Sequence, residues 1–133
     1  MSRCGGMLIS LAWHFDGKST IGIEESATKI AKSKHNCKIY GVNPIHAERN
    51  FMDLEKTDFK KKVSAIFLSP IWGKKYFEEF PFMLEDLEVN IHDLLEKVFS
   101  FTWNLALHIP RKTCIDNILK IFSAYQSCIG YRI

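Results

Sequence analysis

Val63-Ser64-Ala65-Ile66-Phe67-Leu68-Ser69-Pro70-Ile71-Trp72-Gly73 is the most informative run of this chain. Val63 to Leu68 is an apolar, β-type segment, and Pro70 stops it because proline cannot continue a strand ladder. A strand end carrying a small polar residue, a proline and an aromatic suits the grip of a flat base. The Ser69 hydroxyl and the carbonyl near the proline can accept hydrogen bonds from an exocyclic amine. The Trp72 indole offers a stacking surface, worth roughly 1–3 kcal/mol per base. The same residues also read as a strand ending in a proline turn with a buried tryptophan.

Outward from this run, composition narrows the classes. A chain of 133 residues fits one small domain, residues 1–133, and 47% hydrophobic content supplies a core. The formal charge of +3 permits an anionic partner without demanding one. No stretch approaches the ~20 apolar residues a membrane helix needs. Cys4, Cys37, Cys114 and Cys128 are scattered, which fits reduced thiols in an intracellular protein. His14, His35, His46, His92 and His108 share no spacing, so no metal site is expected.

Strand-like and helix-like segments alternate. Gly5-Gly6 precedes a helical run from about Met7. Ser19 to Glu24 reads as a strand, and Ser26 caps a helix to about Cys37 with Ala27, Ile30 and Ala31 inward. Lys29, Lys32, Lys34 and Lys38 form its outer face. A strand around Ile45 to Arg49 follows, then a charged segment, Asp53 to Lys62. Leu84, Leu87, Ile91, Leu94, Leu95 and Val98 predict an amphipathic helix from about Phe82 to Phe99. Trp103 to Ile109 predicts a strand. Thr113 and Asp116 predict a capping box for a helix carrying Ile115, Ile118, Leu119 and Phe122. A last strand is expected over 126–133, and Trp13 and Trp103 are expected in the core. The β-α-β-α order predicts an α/β fold with a mainly parallel sheet and helices on both faces. Ligands bind such sheets at the carboxyl ends of strands, where Glu24, Asn50 and Ser69 fall.

Glycines before a helix let backbone N–H groups approach a ligand. Glu24 ends the next strand 18 residues after Gly6, a distance at which an acid grips ribose hydroxyls in nucleotide-binding folds. An exposed acid favoured by the following helix dipole is the plainer alternative.

With these residues in place, the chain resembles the trimethylguanosine synthase family of RNA cap guanine-N2 methyltransferases. The family signature Phe-Leu-Ser-Pro-Pro-Trp-Gly-Gly is similar to Phe67-Leu68-Ser69-Pro70-Ile71-Trp72-Gly73-Lys74. Gly5-Gly6, Ile21-Gly22-Ile23-Glu24, Tyr40-Gly41-Val42 and Ile109-Pro110-Arg111 match further family stretches in order. The resemblance implies a Rossmann-like, class I S-adenosylmethionine-dependent fold, here without its first strand and with its C-terminal strands cut short. It implies methyl transfer from S-adenosyl-L-methionine to the exocyclic N2 of a 7-methylguanosine RNA cap, in the nucleus. Gly5, Gly6, Glu24, Asn50 and Phe51 would hold the cofactor, with Glu24 on the ribose and Asn50 at the adenine. Ser69 and Pro70 would position N2, and Trp72 would stack on the cationic base. Lys74, Lys75 and Arg111 are placed to meet the cap triphosphate. Ile71 and Lys74 depart from the signature, and Asn50 stands where the family usually has aspartate. Two alternatives remain: an amino methyltransferase on another RNA or DNA base, and a non-catalytic RNA- or protein-binding remnant of the fold.

Overall fold

A computed structural model describes residues 5–78 and 81–126. The chain divides between Val63 and Ser64 into two compact units.

The first unit is a βαβ arrangement with a helix ahead of it. Gly5 begins helix α1 (Gly6–His14) in the left-handed region, at φ 90°. Strand β1 (Ile21–Glu24), helix α2 (Ala27–Ile39) and strand β2 (Ile45–Glu48) follow. β1 and β2 pair in parallel, with Ile21 opposite Ile45 and Glu24 opposite Glu48. Ser26 caps α2 as predicted, its side chain accepting from the Lys29 N–H. The inward face of α2 differs from the expectation. Ile30, Ser33 and Cys37 are buried, whereas Ala27 and Ala31 are exposed and only Ile30 was placed correctly. The reason lies in α1: Leu8 and Ile9 pack on Cys37, and Gly5 meets Ser33, so α2 turns that stripe toward α1. The four lysines of the outer face are exposed. The charged segment forms two 3-10 turns, Phe51–Asp53 and Lys56–Asp58.

The second unit pairs strand β3 (Ile66–Leu68) in parallel with strand β4 (Leu105–Leu107). Helix α3 (Ile91–Phe101) connects them, and helix α4 (Ile115–Gln126) follows. Ile91, Leu94, Leu95, Val98 and Phe101 are buried along one face of α3. Fully burying such side chains contributes about 1.5–3 kcal/mol each. The helix expected from Phe82 begins only at Ile91. Asn90 caps it, accepting from the N–H groups of His92 and Asp93. Upstream, the backbone is used otherwise: Phe82 bridges to Thr113, and Leu84–Asp86 is a 3-10 turn. Asn117, on α4, holds this segment by accepting from the Leu84 N–H at 2.8 Å and donating to Glu85 at 2.8 Å.

The predicted capping box at Thr113 is absent. The Thr113 hydroxyl donates to the Pro110 carbonyl at 2.6 Å, and α4 starts two residues later. Its buried positions are Asn117 and Ile121, while Ile115 and Leu119 are exposed. The two tryptophans expected in the core are also exposed. Trp13 meets Tyr40 edge-on at 5.8 Å, and Trp103 stacks on Phe99 at 4.6 Å. Cys4 and the strand expected over 126–133, from residue 127 onward, lie outside the described residues.

Candidate active site

In the first unit, Glu24 closes β1 as a nearly fully buried carboxylate, 1% exposed. Its Oε1 accepts from the Ser26 N–H at 3.3 Å and lies 3.7 Å from Lys29 Nζ. Its Oε2 is buried with no hydrogen-bond partner among the described residues. Such an atom is costly to bury, by about 1–3 kcal/mol or more when charged, unless a ligand supplies a donor. A small cleft lies at the end of β1, lined by Ile23, Glu24, Glu25, Arg49, Asn50 and Phe51. Sequence reasoning had named three of these six. The Asn50 side chain is partly committed: its oxygen accepts from the Met52 N–H at 2.9 Å and its amide donates to Glu25 at 3.1 Å. Arg49 is engaged with Asp58 at 3.1 Å.

Gly5 and Gly6 play different parts. A Cβ on Gly5 would lie 2.5 Å from Ser33 Oγ, so glycine is required there for packing as well as for its positive φ. Gly6 is exposed, and a Cβ there would meet nothing within 4 Å.

In the second unit, Ser69 and Pro70 follow β3 directly; Pro70 is buried and Ser69 half-buried. Trp72 is half-buried beside Tyr76 and His108, with ring centroids 4.8 and 5.2 Å away and tilted by 51° and 57°. Neither neighbour lies flat on the indole. The Trp72 Nε1–H donates to the His108 carbonyl at 3.3 Å, and Ser69 Oγ lies 3.1 Å from His108 Nδ1. His108 joins this cluster through the pairing of β3 with β4, which its spacing to the other histidines does not show. Its position one residue past β4 matches that of Ser69 past the neighbouring β3, and this was the available signal.

The three basic candidates separate. Lys75 is bound to Asp86 at 2.6 Å; the pair pushes the Lys75 ammonium up and holds the Asp86 carboxyl below the usual carboxylate range. Lys74 and Arg111 are exposed. Lys112 lies over the Tyr76 ring at 5.4 Å and donates to the Glu78 carbonyl. Among the described residues no cluster of His, Cys, Asp and Glu could hold a metal ion, and no helix is long and apolar enough to cross a membrane.

A family model described as RNA cap guanine-N2 methyltransferase matches residues 1–128, nearly the whole chain. The chain belongs to the RNA cap guanine-N2 methyltransferase family. Within it, a curated relative is the trimethylguanosine synthase of Schizosaccharomyces pombe, 32% identical over 124 residues. That match covers 88% of this chain and 51% of the relative, so the chain spans about half the length of the curated relative it matches. Membership of the cap methyltransferase family covers both units, since residues 1–128 include β1 to β4.

Proposed function

We propose that this chain carries out S-adenosylmethionine-dependent methyl transfer to the exocyclic N2 of a 7-methylguanosine cap, on a Rossmann-like class I fold, in the nucleus. The observation that carries this reading is the buried Glu24 carboxylate, with Oε2 unpartnered among the described residues. A vicinal diol offers two O–H donors to such an acceptor, and a ribose at the end of β1 supplies one. Asn50 and Phe51, on the same cleft, complete a cradle for an adenine ring. S-adenosylmethionine, when bound, supplies an electrophilic methyl group on a sulfonium centre.

The remaining residues act on the acceptor base. Ser69 and Pro70 hold the amine by accepting its hydrogens. Trp72 stacks on the 7-methylguanine ring, whose positive charge is attracted by the indole face. Lys74 and Arg111 meet the triphosphate. The contribution assigned to the protein is alignment of the amine, which can supply a large part of a rate enhancement. No side chain is assigned as a nucleophile.

A non-catalytic cap-binding module is the second reading. Asn50 favours it, because its oxygen is taken by the Met52 N–H and it lacks the charge of an aspartate. One experiment separates the two. The purified 133-residue chain is offered labelled S-adenosylmethionine with 7-methyl-GTP and, separately, with GTP. Label on N2 of the 7-methylated nucleotide alone supports the enzyme. Binding of 7-methyl-GTP without label supports the binding module. Label on GTP alone sinks the cap reading.

A further inference from the structure

We infer that His108 is a positioning residue: it fixes the Ser69 hydroxyl as a hydrogen-bond acceptor and so selects bases that carry an exocyclic amine. The inference rests on the base-binding reading above. A serine hydroxyl has one donor and two acceptor lone pairs, and it rotates to suit its neighbours. Left to itself, it greets an amine or a carbonyl with equal ease and discriminates poorly. His108 Nδ1 lies 3.1 Å from Ser69 Oγ. With the ring proton on Nε2, Nδ1 accepts the Ser69 proton. The serine oxygen is then left to accept, which is what an amino group needs.

The backbone holds this arrangement in register. β3 and β4 pair up to Leu68 and Leu107, and the His108 N–H donates to the Leu68 carbonyl at 2.8 Å. Residue 108 is thereby fixed beside residue 69. Its carbonyl receives the Trp72 Nε1–H at 3.3 Å, a bond that no side-chain substitution removes. The carbonyl of residue 108 orients the indole whatever the side chain, while the imidazole, which also packs beside Trp72 with ring centroids 5.2 Å apart, orients the hydroxyl. His108 is exposed, so its truncation leaves the core intact.

The test compares two nucleotides that differ only in the 2-amino group, 7-methyl-GTP and 7-methyl-ITP, binding to the full chain by titration calorimetry. One net hydrogen bond predicts a wild-type preference for 7-methyl-GTP of roughly fivefold to tenfold. His108→Ala narrows the ratio, because the freed hydroxyl must give up rotational freedom to accept from the amine, while 7-methyl-ITP affinity stays near the wild-type value. His108→Asp, whose carboxylate can only accept, restores the preference. A preference unchanged in His108→Ala overturns the His108 assignment and leaves the base-binding reading standing. Equal wild-type affinity for the two nucleotides overturns the assignment as well. Binding of neither nucleotide by the wild type overturns the base-binding reading and this assignment together.

Discussion

Gly5 sits so close to Ser33 that a Cβ added to it would approach Ser33 Oγ to 2.5 Å. The first turn of α1 therefore rests directly on α2. Gly5→Ala combines a left-handed backbone, costing roughly 1–2 kcal/mol, with overpacking of about 1–3 kcal/mol. Urea unfolding should show a loss of about 2–5 kcal/mol. Gly6→Ala, one position on, should be neutral or stabilising by up to about 1 kcal/mol. Equal effects at the two positions would argue against this contact.

Glu24→Gln separates binding from stability. The variant keeps an oxygen for the Ser26 N–H and removes a buried charge whose second oxygen lacks a partner. Its melting temperature should equal or exceed the wild type, because the half-exposed Lys29 at 3.7 Å offsets only part of the cost of burying this carboxylate. Its affinity for S-adenosylmethionine should fall, by roughly tenfold or more for a lost charge-assisted hydrogen bond. Calorimetric titration gives the affinity, and an unchanged dissociation constant removes Glu24 from the cofactor site.

Trp72→Ala should weaken 7-methyl-GTP binding by roughly 1–3 kcal/mol, the usual worth of one aromatic stack. Cofactor affinity should stay within about twofold, since the residues assigned to it belong to the cleft around Glu24. Parallel loss of both would contradict a stacking role.

His46 should make stability fall on acidification. Burial lowers its pKa from 6.5, and Lys34 acts in the same sense, against a hydrogen bond with the Pro44 backbone. Its Nε2 is 3.0 Å from Ser33 Oγ. Because the folded pKa is depressed, the unfolded chain binds this proton more readily. The stability is present above 6.5 and is lost as pH falls from there through the folded value. Thermal melts between pH 8 and pH 5 should show a steeper acid decline for the wild type than for His46→Asn. Parallel declines would remove His46 from the account.

Element order was legible in the sequence wherever a local signal agreed with burial. Ser26 before α2, the apolar run of β3 and the periodicity from Ile91 to Val98 each carried their own evidence. The errors arose where a distant partner won. Leu84 and Leu87 fit a helical period, but Asn117 and Thr113 claim that backbone from outside it. Thr113 had the right neighbour for a capping box, yet its hydroxyl finds Pro110. Ala27 and Ala31 lost the inner face of α2 to Ser33 because a neighbouring glycine invites a close approach. In the candidate site, Glu24 ends β1 and Trp72 follows β3, the strand ends where type and position had put them; their roles belong to the proposal. His108 was not legible, because its meaning depends on which strand lies next to which.

The two ties from Thr113 and Asn117 to the stretch before Asn90 bear on how the chain is made. Leu84 and Asn117 are 33 residues apart, and the Phe82–Thr113 bridge spans nearly as far. A growing chain exposes the earlier partners first, and such long-range pairings form slowly because the loop must close before they stabilise anything. Phe82 and Leu84, among the most buried side chains, must therefore wait for residues 113–117 to be synthesised. Closure of this unit waits for those residues, and a ribosome stalled before Thr113 would display that apolar pair to any chaperone at hand.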